Sequence, residues 1–154
     1  GMPVPAIPES LSKGVIDGAV IPWEVTAALK LPELVGNHTE FGGESLYTTS
    51  FIFAMNKEKY ESLPDDLKAV IDNNSGLEFS AFAGKTQAGG DAPSRELAVA
   101  AGNNIITLTP EQVAEWKEAA AGVEAAWIES LNKTGVDGQA VVDQARALIE
   151  KHTK

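Results

Sequence analysis

The sequence predicts an α/β fold, and three observations carry that expectation. Apolar or β-branched runs at Val15–Ile21, Leu46–Met55 and Asn104–Leu108 read as short strands separated by helix-forming stretches. Thr109-Pro110-Glu111-Gln112 is a capping box with proline at the first helical position, a strong helix start directly after the third run. Beyond it Val113, Trp116, Ala120, Val123 and Trp127 recur at spacings of three and four, which predicts a long amphipathic helix.

Taken in order, Pro3 and Pro5 make Met2–Ala6 extended, and Pro8 opens a short helix over Ile7–Lys13. Gly14 ends that helix as a left-handed C-cap. Val15–Ile21 is then a brief, mostly buried strand interrupted at Asp17-Gly18. Pro22 closes it and leads into a helix over Trp23–Leu31, with a last turn at Glu33–Gly36 after Pro32. The polar, glycine-bearing stretch Asn37–Glu44 reads as a loop. Tyr47, Thr48, Thr49, Phe51, Ile52 and Phe53 make Leu46–Met55 the strongest strand in the sequence. Asn56–Tyr60 is a turn or a single helical turn. Pro64-Asp65-Asp66 starts a helix with two carboxylates at its positive end and Leu67, Val70 and Ile71 on its buried face. Residues 76–101 read as helix broken near Gly89-Gly90. Gly135 ends the long helix, and a last helix runs from Gln139 to His152 with Val142, Ala145 and Ile149 inward.

Composition narrows the function classes. The chain has 154 residues, 44% hydrophobic and 22% charged, enough for one soluble domain. Its formal net charge of −10 argues against a nucleic-acid surface, which needs a basic patch, but leaves small anionic ligands open because one arginine decides those locally. The absence of cysteine excludes disulfides, thiolate nucleophiles and cysteine-ligated zinc. No apolar run approaches the ~20 residues of a membrane-spanning helix. No signal peptide is visible at residue 1, and a mature chain would lack one anyway.

The candidate residues for chemistry are few. Trp23 stands at a strand exit and a helix mouth, the edge of an open α/β sheet at which ligands bind; core packing is the competing assignment. His38-Thr39-Glu40 offers one imidazole and one carboxylate, too few for a metal site, so His38 reads as an exposed loop histidine. Gly84-Lys85-Thr86 imitates the end of a phosphate-binding loop, but Phe79 stands where the first glycine is required. Asp65-Asp66 is explained by the helix dipole, and Trp116 and Trp127 by core packing at helical spacing. No catalytic constellation, cofactor motif or metal site emerges.

Several segments together resemble a known family. Pro3-Val4-Pro5 through Ser10-Leu11-Ser12-Lys13-Gly14-Val15-Ile16-Asp17-Gly18 looks like the central signature of the solute-binding subunits of tripartite ATP-independent periplasmic (TRAP) transporters, the dicarboxylate-type DctP family. Met55-Asn56-Lys57 through Leu63-Pro64-Asp65-Asp66-Leu67-Lys68 is similar to that family's Asn-Lys…Leu-Pro-x-Asp-Leu block. The stretch from Ile105 through Trp127 to Gly135-Val136-Asp137-Gly138 follows the family order. Each motif alone is cheap; their joint order and spacing over nearly the whole chain are specific.

The resemblance implies the C-terminal part of a two-lobed, periplasmic-binding-protein-like fold, because family members are about twice this length. It places residues 1–40 in part of the second lobe, 41–103 in a return strand and helices of the first lobe, and 104–154 in a strand plus long terminal helices linking the lobes. It implies a periplasmic receptor that binds a small organic acid and passes it to membrane permease subunits, without bond chemistry. The family's carboxylate-pairing arginine lies upstream; only Arg95 and Arg146 occur here, both in expected helices. Val4, Ile21, Trp23 and Tyr47 are the expected ligand-binding positions. Ile21 stands where sialic-acid-type members carry asparagine, which favours a less polar acid. A fragment of this kind is expected to self-associate, as a homodimer that exchanges strands or helices. The competing assignment is a free-standing small α/β enzyme or interaction domain.

Overall fold

Pro8 in the first turn and Gly14 beyond the last bound helix α1 (Ile7–Ser12). Gly14 adopts φ +64°, its N–H bonds the Leu11 carbonyl at 3.1 Å, and the Val15 N–H bonds the Ser10 carbonyl at 2.9 Å. That pair of bonds is a Schellman closure, which satisfies carbonyls the helix end would otherwise leave bare. The computed structural model describes residues 1–43 and 45–152, so Glu44, the last residue of the expected Asn37–Glu44 loop, lies outside the described residues. The chain divides into two compact units, Gly1–Thr107 and Leu108–Lys154.

In the first unit α1 is preceded by a 3-10 turn at Val4–Ala6 where extended chain was expected. Helix α2 (Trp23–Ala28) follows Pro22, and a second 3-10 turn occupies Leu31–Glu33. Strand β1 (Asn37–Glu40) leads to α3 (Lys57–Glu61), α4 (Asp65–Asn73), α5 (Leu77–Ala88), α6 (Asp91–Ala100) and strand β2 (Asn104–Thr107). The two strands pair in parallel, with Asn37, His38, Thr39 and Glu40 opposite Asn104, Ile105, Ile106 and Thr107. The β1 strand corrects the loop expected there. Its Asn-His-Thr-Glu sequence has no apolar alternation, yet His38 and Glu40 on one face are half-buried while Asn37 and Thr39 are exposed.

Two expected strands do not form. Val15–Ile21 is irregular, and Val15 and Val20 are exposed. Leu46–Met55, for all its β-branched and aromatic residues, also carries no regular structure; Phe51, Ile52 and Phe53 are 71%, 89% and 102% exposed. A strand is stabilised by its ladder and by cross-strand neighbours, and the described residues provide neither for these runs.

What holds the first unit is a close helix pair. Helix α2 packs on α6, whose Gly90, Ser94 and Ala98 follow each other at intervals of four along one face. Ser94 and Ala98 are buried, as is Thr26 of α2. Small side chains at this spacing let the backbones approach: a Cβ on Gly90 would stand 2.9 Å from the Glu24 Cβ. The α2 N-terminus is finished by α6, because the Glu24 N–H donates to the Asp91 carboxylate at 3.0 Å. Ile7 and Leu31 complete the buried set.

The second unit holds α7 (Pro110–Asn132) and α8 (Gly138–His152). Both bonds of the expected capping box are present: Thr109 accepts from the Gln112 N–H, and Gln112 accepts from the Thr109 N–H. Gly138 packs against the α7 backbone at Ile128, and its N–H donates to Asn132 Oδ1 at 2.9 Å. The expected core face of α7 needs correction. Val113 is buried, but Trp116 and Trp127 are 49% and 44% exposed and Val123 is exposed. On α8, Val142 is half-buried while Ala145 and Ile149 are exposed. Apolar spacing marks a face that is built to be covered, and these helices leave much of it open. Among the described residues no helix is long and apolar enough to cross a membrane.

Candidate functional site

The two parallel strands bring their carboxyl ends together at Glu40 and Thr107, and the first turn of α2 lies beside them. Because side chains alternate along a strand, His38 and Glu40 share one face of β1. Trp23, the first residue of α2, meets His38. Its ring stacks on the His38 imidazole with centroids 5.0 Å apart and planes inclined by 29°.

Glu40 is the centre of this cluster. Arg95 of α6 forks onto it, with Nε donating to Oε2 at 2.8 Å and Nη2 to Oε1 at 2.9 Å. Thr107 adds a hydroxyl to Oε1 at 2.8 Å. The planar guanidinium matches the two carboxylate oxygens, so this pair is directional as well as charge-balanced. The bond from Arg95, aided by that from Thr107, holds the Glu40 carboxyl below the usual carboxylate range against the opposing effect of burial.

His38 is fixed from its other side. Asn103 directs Nδ2 to the Pro32 carbonyl at 2.9 Å and to His38 Nε2 at 3.0 Å. With Nδ2 donating to both, Nε2 is an acceptor and the imidazole is neutral. Burial pushes the His38 pKa down, which favours the same form. The expected exposed loop histidine is thus a half-buried strand residue stacked on Trp23.

The four expected ligand-binding positions fall on three segments. Ile21 and Trp23 flank Pro22 at the α2 entrance and are both half-buried. Val4 lies in the first 3-10 turn and Tyr47 in the irregular segment that follows residue 45; both are exposed. The two arginines are committed to carboxylates: Arg95 to Glu40, and Arg146 to Glu124 at 2.6 Å. Among the described residues no group of three or more histidines, cysteines or acids is arranged to hold a metal. Gly84-Lys85-Thr86 lies inside α5 and forms no phosphate loop. The sequence pointed to Trp23 but not to the polar cluster beside it. The signal for that cluster is the polar i, i+2 pair His38 and Glu40, which becomes legible only once Asn37–Glu40 is known to be a strand.

The family described as bacterial extracellular solute-binding protein, family 7, DctP, matches residues 1–131. The chain is 50% identical to a TRAP solute-binding protein from Rhodoferax ferrireducens T118 solved with copurified benzoate; the match has a TM-score of 0.91 and covers 99% of this chain and 48% of that one. A marine metagenome TRAP solute-binding protein specific for aromatic acid ligands, solved with 3-hydroxybenzoate, is 49% identical with a TM-score of 0.88, over 100% of this chain and 48% of that one. A TRAP periplasmic solute-binding protein from Desulfovibrio salexigens DSM2638 is 28% identical with a TM-score of 0.69, again over 100% and 48%. The chain spans about half the length of these relatives. All three are described as solute-binding proteins. On the family match and these identities, the chain belongs to the DctP family of bacterial extracellular solute-binding proteins.

Proposed function

We propose that the polypeptide carrying this chain is the periplasmic receptor of a TRAP transporter, that it binds a small aromatic carboxylate and hands it to membrane permease subunits, and that it catalyses no reaction. The observation that carries the reading is Trp23, held at the carboxyl ends of a parallel strand pair, where open α/β sheets bind ligands. The benzoate and 3-hydroxybenzoate held by two relatives supply the ligand class. Trp23 and Ile21 form an aromatic and apolar wall at the α2 entrance, with Val4 and Tyr47 as further wall positions. Both arginines here already pair with carboxylates, so the guanidinium that grips the ligand comes from outside these residues.

In this reading residues 1–40 contribute to the second lobe, 41–103 to the first, and 104–154 to the helices that join them. The runs Val15–Ile21 and Leu46–Met55 find their strand partners in the remaining half. The 154-residue chain alone would cover the same edges with a second copy, exchanging strands or helices. Light scattering checks that: a dimer or larger species is expected, and a stable monomer refutes it.

The functional test is calorimetric titration of the full-length protein with benzoate and 3-hydroxybenzoate. Removing the indole in Trp23→Ala takes away a wall whose burial is on the order of 1.5–3 kcal/mol, so affinity falls about 10- to 100-fold. Unchanged affinity removes Trp23 from the site, and turnover of any substrate overturns the receptor reading.

A further inference from the structure

We infer that His38 and Asn103 are positioning residues for ligand binding: His38 backs the Trp23 indole, and Asn103 holds the imidazole that does so. The inference rests on the reading of Trp23 as a binding residue. The Trp23 main chain is fixed first, because the buried Thr26 donates its hydroxyl to the Trp23 carbonyl at 2.8 Å. What is left to set is the rotation of the side chain about its own torsions. The His38 imidazole sets it, stacked on the indole with centroids 5.0 Å apart and planes inclined by 29°. One indole face is thereby taken, and a ligand meets the other face or the ring edge.

His38 can back the indole only if it is itself held. Its main chain lies in the parallel ladder opposite Ile105. Its ring is held at Nε2 by the Asn103 amide at 3.0 Å, whose other N–H goes to the Pro32 carbonyl at 2.9 Å. Asn103 is in turn placed by the closure of α6. Gly102, at φ +78°, donates its N–H to the Val99 carbonyl at 3.0 Å, and the Asn103 N–H bonds the Ala98 carbonyl at 3.0 Å. This is the same Schellman closure as at Gly14. The next residue, Asn104, donates its N–H to the Gly36 carbonyl at 2.9 Å and begins β2. Asn103 thus stands at a junction of helix and strand that is hydrogen-bonded on both sides. Fixing the wall before the ligand arrives reduces the ordering cost of binding, about two- to tenfold in affinity for one side chain.

The test uses the full-length protein, benzoate as the probe and calorimetry as the readout. His38→Leu keeps similar bulk but offers no flat ring, whereas His38→Phe keeps a ring and gives up the bond to Asn103. His38→Leu is expected to weaken benzoate binding about two- to tenfold, and His38→Phe to stay within about twofold of the parent. A residue that merely fills space would be replaced equally well by either. An equal loss in both variants, or no loss in His38→Leu, therefore overturns the role of the ring. Asn103→Leu is expected to weaken binding about two- to fivefold with His38 present, and to change nothing in the His38→Phe background, where no ring nitrogen is left to hold. Asn103→Ala decides the matter if Asn103→Leu does not fold. An equal loss in both backgrounds, or no loss with His38 present, overturns the role of Asn103. If Trp23→Ala leaves benzoate affinity unchanged, the binding reading of Trp23 fails and this inference with it; a loss in Trp23→Ala with none in His38→Leu refutes the inference alone.

Discussion

Replacing Gly90 with alanine puts a methyl group where α2 and α6 come closest. The new Cβ would lie 2.9 Å from the Glu24 Cβ, 3.2 Å from the Gln87 carbonyl oxygen and 3.5 Å from the Glu24 Cα. Carbon atoms prefer about 3.5–4.0 Å, so the helices must part by roughly half an ångström or more. Neither neighbour can yield cheaply: Glu24 Cβ is tied to the backbone whose N–H bonds Asp91, and the Gln87 oxygen belongs to the end of α5. Overpacking of this kind costs about 1–3 kcal/mol. At this chain length that corresponds to a fall in Tm of about 2–12 °C. Backbone strain is not involved, since Gly90 has φ −82°. Gly84→Ala is the control. Gly84 sits inside α5 with nothing within 4 Å of its added Cβ, so the same methyl should raise stability by about 0.5–1 kcal/mol. Chemical denaturation of both variants reads the two signs. If Gly90→Ala is neutral or stabilising, the close α2–α6 packing described above is wrong.

Three further outcomes follow from particular residues. Glu24 has its carboxyl pushed up by burial and by the charge of Asp91, so ionising it at neutral pH opposes folding. Glu24→Gln should therefore raise Tm at pH 7 and lose that gain below the carboxylate range; a gain equal at both pH values contradicts the assignment. His38 and Glu40 both hold pKa values below their ordinary ones, so each contributes stability that is present above its unfolded value and lost as pH falls through its folded one. Thermal melts across that acid range should slope less steeply in Glu40→Gln than in the parent, and equal slopes would refute the Glu40 part. Thr109→Ala removes the side-chain half of the α7 cap and should destabilise the helix by about 1 kcal/mol, read by circular dichroism during urea unfolding; no change there would deny the cap any role.

Features that depend on a few neighbouring residues were legible in the sequence. The Gly14 stop, the Thr109–Gln112 capping box, the break at Gly89-Gly90 and the Pro64-Asp65-Asp66 helix start each rest on local hydrogen bonds or dihedral limits, and each is present. Strands were harder, because their stability lies in partners far along the chain. Leu46–Met55 has strand composition without a ladder among the described residues, while polar Asn37–Glu40 forms one because Asn104–Thr107 lies beside it. The Trp23 cluster was half legible. The Pro22–Trp23 helix mouth is a local signal, whereas the grip of Arg95 on Glu40 spans 55 residues and leaves no trace in spacing. Trp116 and Trp127 show the reverse case: their helical periodicity is real, but periodicity names a face to be covered and not what covers it.

A crystal structure of the full-length protein with benzoate tests the central claim most directly. The expected result is the aromatic ring of benzoate against Trp23, with His38 still stacked on the indole, and the benzoate carboxylate on an arginine outside residues 1–154. Benzoate bound away from Trp23, or its carboxylate on Arg95 or Arg146, would contradict it.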